Sequence, residues 1–267
     1  MAVDVIANFK NNQRAGWAYF APLQALTTEP AAQLVSYAGI RKGDRVLDAA
    51  SGTGVVAVTA ARRGAVVSAL DLTPELIVVA RENARFAAVD IDWHEGDVES
   101  LPFPPETFDV VVSQFGHMFA PRPDVCVNEL LRVLKPGGTI AFSTWPPELF
   151  VGRLFALTGK YMPPLPPGVA PSPLWGDPNV VRERLGAHVR DLRFDRRTMI
   201  VPGLSPAHQR DNFERTAGPM LKLVEMLAAT DPVKLQAFRD ECEALIAEYF
   251  ADNVIRQGYL MTRATKV

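Results

Sequence analysis

The chain reads as an α/β protein built on a mostly parallel sheet. Three features carry that prediction. Between Arg45 and Trp145, short apolar runs alternate with helical patterns, the mark of successive β-α-β units. Within Phe108–Ser113, the run Val110-Val111-Val112 that follows Asp109 is apolar at consecutive positions, as a central parallel strand buried on both faces requires. The third feature is size: 267 residues, 48% apolar and 22% charged, suffice for one large domain or a domain with a modest appendage.

Upstream of the alternation, Arg14–Leu26 is rich in Trp17, Tyr19, Phe20 and Leu23, and a helix is predicted from Glu29 to Ala38. Both must pack on or beside the sheet. Arg45–Ala49 is the first strand, Val55–Arg63 its helix and Val66–Asp71 the second strand. Thr73-Pro74-Glu75 then starts a helix running to about Phe86, with Thr73 as cap and Pro74 in the first turn, where its missing N–H is harmless. Asp90–Glu95 is the third strand and Phe108–Ser113 the fourth. Asp124–Leu134 is helical, ended by Lys135-Pro136-Gly137-Gly138, and Thr139–Thr144 is the fifth strand.

Further on, Met162–Pro178 holds seven prolines, too many for a helix or a central strand because each removes a backbone donor. This is a loop and a candidate lid. Val189–Val201 is a sixth strand. Ser205–Asn253 is helical, with Leu235, Phe238, Cys242, Leu245 and Tyr249 three and four apart on one core-facing stripe. Gln257–Lys266 alternates, as a last strand returning to the sheet edge would. The chain thus divides into a helical cap (1–39), a sheet core (40–146), a second cap segment with the sixth strand (147–253) and the returning strand (254–267).

Composition narrows the function. With 28 Lys and Arg against 30 Asp and Glu, the formal charge of −2 provides no field for a polyanion, so no nucleic acid is expected as partner. Two cysteines, Cys126 and Cys242, make neither a disulfide scaffold nor a metal cluster. Asp4, Asn8 and Lys10 interrupt the N-terminus where a signal peptide needs an apolar run, and no segment has the length of a membrane span. The expectation is a cytoplasmic protein with no metal and no integral membrane association, as monomer or homodimer.

The chemistry begins at Val46-Leu47-Asp48-Ala49-Ala50-Ser51-Gly52-Thr53-Gly54, a strand running into a small-residue turn that opens a helix. Such a turn lets a ligand approach the backbone, and the helix start offers amides to an anionic group. Gly52-x-Gly54-x-x-Ala57 even satisfies the dinucleotide pattern, and Asp71 ends the second strand where an acid takes two ribose hydroxyls. A ribose is common to NAD and S-adenosylmethionine. Asp48 favours the latter, since a carboxylate there suits a methionine ammonium and repels a pyrophosphate. Asp97, in Gly96-Asp97-Val98, can accept from an exocyclic adenine amine while Leu72 and Val98 border the ring. Each acid also has a structural role open to it: Asp71 beside a helix start, Asp97 in a short turn with Ser100, Asp48 on the amides of its own turn.

Taken with Leu70-Asp71-Leu72-Thr73, Gly96 to Phe103, Phe108-Asp109-Val110-Val111 and Arg132-Val133-Leu134-Lys135-Pro136-Gly137-Gly138, these motifs resemble the class I S-adenosylmethionine-dependent methyltransferases. They are most similar to the type 11 group of the ubiquinone and menaquinone biosynthesis enzymes, clearly over about residues 40 to 146. The resemblance implies a Rossmann-like, seven-stranded, mostly parallel sheet with an antiparallel seventh strand and helical cap segments. It implies methyl transfer from S-adenosylmethionine, leaving S-adenosylhomocysteine, to a small-molecule acceptor. By position, Asp48, Ala49, Ala50, Ser51, Gly52, Thr53 and Gly54 would hold the methionine part, Asp71 the ribose, and Asp97 with Leu72 and Val98 the adenine. Ser113 and Gln114 would face the ammonium and sulfur. Ala50 departs from the glycine that many members carry.

Methyl transfer from a sulfonium asks chiefly for alignment and exclusion of water; a base helps when the acceptor is a hydroxyl or an acidic carbon. His117, just after the fourth strand, is the candidate base or substrate contact; His94, His188 and His208 are weaker candidates. Trp17, Tyr19, Phe115, Phe119 and Trp145 are candidates for an apolar acceptor chamber, suited to an aromatic or lipid-like molecule. Six arginines from Arg182 to Arg197, interleaved with acids, read as a solvated face. Two other functions fit less well. A regulatory protein could bind the cofactor or its product without catalysis. An NAD-dependent reductase would need a Tyr-x-x-x-Lys pair, and Tyr161 is followed by Leu165 and Tyr259 by Arg263.

Overall fold

The computed structural model describes residues 5–267. Two helices open the chain, α1 (Val5–Trp17) and α2 (Gln24–Ala38). The expected alternation follows: β1 (Arg45–Ala49), α3 (Val55–Arg62), β2 (Val66–Asp71), α4 (Pro74–Phe86), β3 (Asp92–Glu95), β4 (Phe108–Gln114), α5 (Pro123–Val133) and β5 (Leu134–Thr144). Then come α6 (Phe150–Tyr161), α7 (Pro178–Leu185), β6 (Val189–Pro202), helices α8 (Pro206–Thr216), α9 (Gly218–Thr230) and α10 (Pro232–Tyr249), β7 (Phe250–Ala251) and β8 (Val254–Lys266). Along the sheet the order is β3-β2-β1-β4-β5-β8-β6, with the short β7 paired to β8. β1 to β5 pair in parallel, while β8 runs antiparallel to both β5 and β6. This is the Rossmann-like sheet of the class I methyltransferases.

Alternation along the strands feeds two cores. Val46, Val110, Val112 and Ala141 face α2 and α3, packing with Leu34, Val35, Val56 and Ala60. Leu47, Val111, Ile140 and Phe142 face the other way, into a larger core shared with α5 and the cap helices. The consecutive valines of β4 therefore bury both faces, as its composition demanded.

Four local readings need correction. β8 lies inside the sheet, so the edge belongs to β6. Lys135-Pro136-Gly137-Gly138 is a bulge within β5: Phe108 pairs with Leu134 but Val110 with Thr139. α2 begins at Gln24, five residues before the expected start at Glu29, and carries Pro30 inside it. The stretch from 205 is helical as expected, in three helices, but helix ends at Tyr249 and not Asn253, because Asp252 and Asn253 take positive φ (52° and 59°) and turn β7 back onto β8. The proline-rich loop is irregular but for a single 3-10 turn, Ser172–Gly176, which buries Trp175.

Candidate active site

At the carboxyl ends of β1, β2 and β4 lies a cavity of about 240 Å3, roofed by α1 and walled by α6, α8 and β8. Its floor is the turn after β1. Ala50, Gly52 and Gly54 all have positive φ (58°, 54° and 77°). Gly54 is required on space as well, since a Cβ there would lie 2.5 Å from the Trp93 ring. The turn then feeds α3, whose first amides point back toward the strand end.

Three carboxylates stand along one side. Asp48 is 1% exposed; its Oδ2 accepts from the Ala57 amide at 2.9 Å, and burial, aided by the nearby Asp71, pushes its pKa up to about 7. Asp71 accepts from the Gly52 amide at 2.6 Å and from Thr73 at 2.8 Å, which ties the turn to the start of α4; burial raises its pKa too. Each of its oxygens keeps a second lone pair for a ligand. Asp97 accepts from the Glu99 amide at 2.9 Å, and its own carbonyl accepts from Ser100 at 2.9 Å, so the short turn exists.

One feature had no sequence signal. Lys10, on α1, reaches both Asp97 and the fully buried carboxylate of Glu99 at 2.5 Å. Arg122 holds the same Glu99 through its backbone amide and guanidinium. With Gln13 Nε2 donating to the Phe119 carbonyl at 3.0 Å, α1 is clamped over the cavity.

The structure brings Asp48, Ala50, Ser51, Gly52 and Thr53 to the cavity wall, together with Asp71, Leu72, Asp97, Val98 and Gln114. Ala49 and Gly54 lie outside the wall, Ala49 facing the core. Ser113 is also turned away, its Oγ accepting from the His117 amide at 3.1 Å. Gln114 donates to the Thr27 carbonyl, leaving its Oε1 free. Ser51 Oγ, Thr53 Oγ1 and Thr73 Oγ1 are likewise buried without partners. Four unpaired oxygens in one wall are more than a folded core normally leaves.

Trp17, Phe115, Phe119 and Trp145 supply the aromatic part of the lining, with Phe115 and Trp145 stacked at 4.0 Å and 10°. Tyr19 does not: it is 54% exposed on the outer surface, and Phe20, Leu23 and Leu26 take its expected place. Val151, Phe155, Met199, Phe213 and Gln257 also line the cavity. They come from segments read only as helix, strand or cap, where no motif marks a wall residue.

His117 departs most from expectation. It is fully buried outside the cavity wall, its ring 4.5 Å from that of Phe142 and 4.7 Å from that of Trp175, with neither nitrogen hydrogen-bonded. Burial, with the positive charge of Arg184, pushes its pKa down to about 3. Its ring is neutral at physiological pH and a weak base. Among the described residues no group of side chains could hold a metal, and no helix is long and apolar enough to cross a membrane.

Comparison with known proteins agrees with this geometry. Residues 47–142 match the methyltransferase domain family. The chain is 39% identical over 234 residues to the uncharacterized protein Rv1403c of Mycobacterium tuberculosis, covering 87% of this chain and 85% of that one. It is 39% identical over 104 residues to the ubiquinone/menaquinone biosynthesis C-methyltransferase UbiE of Roseobacter denitrificans, covering 38% and 42%. Among solved structures, YcgJ of Bacillus subtilis superposes with a TM-score of 0.62 at 18% identity, over 89% of this chain and 98% of that one. The Bacillus halodurans protein BH2331 gives 0.60 at 21% identity, over 88% and 98%. The chain belongs to the class I S-adenosylmethionine-dependent methyltransferases, in the type 11 group.

Proposed function

We propose that this protein transfers the methyl group of S-adenosylmethionine to a small apolar or aromatic acceptor. The observation that carries this reading is a single cavity with two unlike sets of lining groups: Asp48, Asp71 and Asp97 with the unpaired oxygens, and a larger set of aromatic and aliphatic side chains.

The polar set fits the cofactor. Asp71 has lone pairs left for two hydroxyls, Asp48 offers a buried carboxylate to an ammonium, and Leu72 and Val98 flank the position of a flat base. When bound, S-adenosylmethionine supplies a methyl on a positively charged sulfur. The ring faces of Trp17, Phe119 and Trp145 suit that charge and keep water out. The chain's contribution is alignment of the acceptor behind the methyl.

No proton acceptor lines the cavity beyond the polar set. Among the described residues, the three aspartates are the only ionisable side chains lining the cavity, and all belong to that set. The acceptor therefore enters as a ready nucleophile, or loses its proton to water. The described part of the N-terminal segment, residues 5–39, and residues 147–253 act as the cap that shapes the cavity.

Calorimetric titration of the protein with S-adenosylhomocysteine and, separately, NADH tests the reading. Micromolar-range binding of the first and none of the second is expected. Heat with NADH alone would assign the turn to a dinucleotide. Binding of S-adenosylhomocysteine with no methylated product across a broad acceptor panel would make the protein a non-catalytic binder.

A further inference from the structure

Outside the polar set, the cavity lining contains one polar side chain that nothing in the protein uses. Gln257, on β8 opposite Met199 of β6, is 4% exposed and lines the cavity. Its carboxamide makes no hydrogen bond to any described residue. Of the other neutral polar side chains of the cavity, Gln13 donates to the Phe119 carbonyl and Thr27 to the Gln24 carbonyl, while Gln114 donates to the Thr27 carbonyl and keeps its Oε1 unpaired beside the turn. Met199 is its partner across the strands, and Phe213, Trp145 and Val151 line the same cavity.

A carboxamide that faces such a cavity with no protein partner is open to a ligand, and in a mostly apolar wall it adds nothing to the packing of the empty protein. A leucine or methionine would fill the space equally well. The arrangement makes physical sense if a ligand completes the pair, and a site with few polar groups in an apolar pocket draws its selectivity from them.

We propose that Gln257 orients the acceptor by hydrogen-bonding a hydroxyl or carbonyl oxygen on an otherwise apolar, flat molecule. The assignment rests on the methyltransferase reading of the cavity. Flatness follows from the aromatic part of the lining, Trp17, Phe119 and the stacked pair Phe115 and Trp145. The oxygen follows from the carboxamide, which can both donate and accept. Being neutral, Gln257 selects against a fixed charge on the acceptor, since a carboxylate or ammonium there would find no counter-ion.

Equilibrium dialysis of two probes of nearly equal shape, 2-naphthol and 2-methylnaphthalene, against the protein saturated with S-adenosylhomocysteine is the test. Wild type is expected to prefer 2-naphthol by about threefold to tenfold, the value of one net hydrogen bond. In Gln257→Leu and Gln257→Met the preference falls to about one through loss of 2-naphthol affinity, while S-adenosylhomocysteine binds as before. That unchanged binding certifies the fold of each variant. A preference that survives in both variants overturns the proposal, as does a wild type that binds neither probe or both equally. Failure of wild type to bind S-adenosylhomocysteine overturns the methyltransferase reading itself, and this assignment with it.

Discussion

Ala50 and Gly116 meet at the floor of the cavity: a Cβ placed on Gly116 would lie 2.5 Å from the Ala50 methyl and 2.6 Å from the Ala50 carbonyl oxygen. Ala50 itself has φ 58°, a conformation that disfavours any side chain. The methyl at position 50 is thus accommodated by the absence of one at position 116. Gly116 has an ordinary φ of −94°, so its constraint is space alone.

Ala50→Gly should leave the fold intact and change stability by no more than about 1 kcal/mol, relief of the left-handed alanine being offset by greater freedom in the unfolded chain. Gly116→Ala should destabilise by about 2 kcal/mol or more, because backbone as well as a methyl stands in the way. In the double variant only part of this is recovered, since the carbonyl remains. Thermal melts of the three proteins decide it; full recovery would mean that the methyl alone sets the constraint.

Asp71 accepts from two amides, that of Gly52 nineteen residues before it and that of Thr73 two residues after it. Asp71→Asn keeps one acceptor oxygen and should remain folded, while losing the charge and one amide contact. Binding of S-adenosylhomocysteine is expected to weaken by about tenfold to a hundredfold, in line with loss of a charge-assisted hydrogen bond. Calorimetry reads the affinity and circular dichroism the fold. Unchanged affinity would confine Asp71 to its structural role.

If Asp48 meets the ammonium as proposed, binding should depend on pH. Its pKa is pushed from 3.8 up to about 7. Between those values the native protein holds a proton that the unfolded chain has released, so Asp48 lowers stability as pH rises through that window. An ammonium placed beside it favours the ionised carboxylate and reverses the balance. Affinity for S-adenosylhomocysteine should therefore rise with pH and level off above about 7, and Asp48→Asn should flatten the profile. Titrations across this range check it; a flat wild-type profile would place the ammonium elsewhere.

His117 should be silent in the same experiment. With its pKa pushed down to about 3, it does not titrate near neutrality. Both ring nitrogens lack partners, so an apolar side chain of similar size loses nothing there. His117→Leu is expected to keep stability within about 1 kcal/mol and leave the pH profile of methylation unchanged. A hundredfold loss of turnover with an altered profile would return the ring to the chemistry.

What could be read from residues alone follows the range of the interactions. Between Arg45 and Trp145 each strand, turn and helix start is set by neighbours, so Thr73-Pro74, Gly52-x-Gly54 and the Val110 run identify their own surroundings. Gln257 and Lys10 could not be found this way, because Lys10 meets Asp97 across 87 residues. His117 misled for a related reason. Its place after β4 was read correctly, but the side on which its ring packs depends on Trp175, from the proline-rich loop. Tyr19 failed similarly: Trp17 and Phe119 pack at 4.6 Å, and the chain then turns Tyr19 outward.

The clamp on α1 bears on how ligands enter. Lys10 binds the carboxylate of Asp97, one of the three acids of the polar set, while Gln13 and Trp17 of the same helix cover the cavity. Glu99 keeps its Arg122 contacts if Lys10 is lost, so Lys10→Met removes the clamp without leaving a buried carboxylate unpaired. Opening of α1 then becomes easier, and its amides should exchange hydrogen about tenfold faster or more while those of β1 and β4 do not change. Release of S-adenosylhomocysteine, followed by stopped-flow displacement, should quicken in parallel if the bound molecule leaves beneath this helix. Faster exchange with unaltered release would show that ligands pass by another route, and unchanged exchange would show that Gln13 and the packing of Trp17 hold α1 without the ion pair.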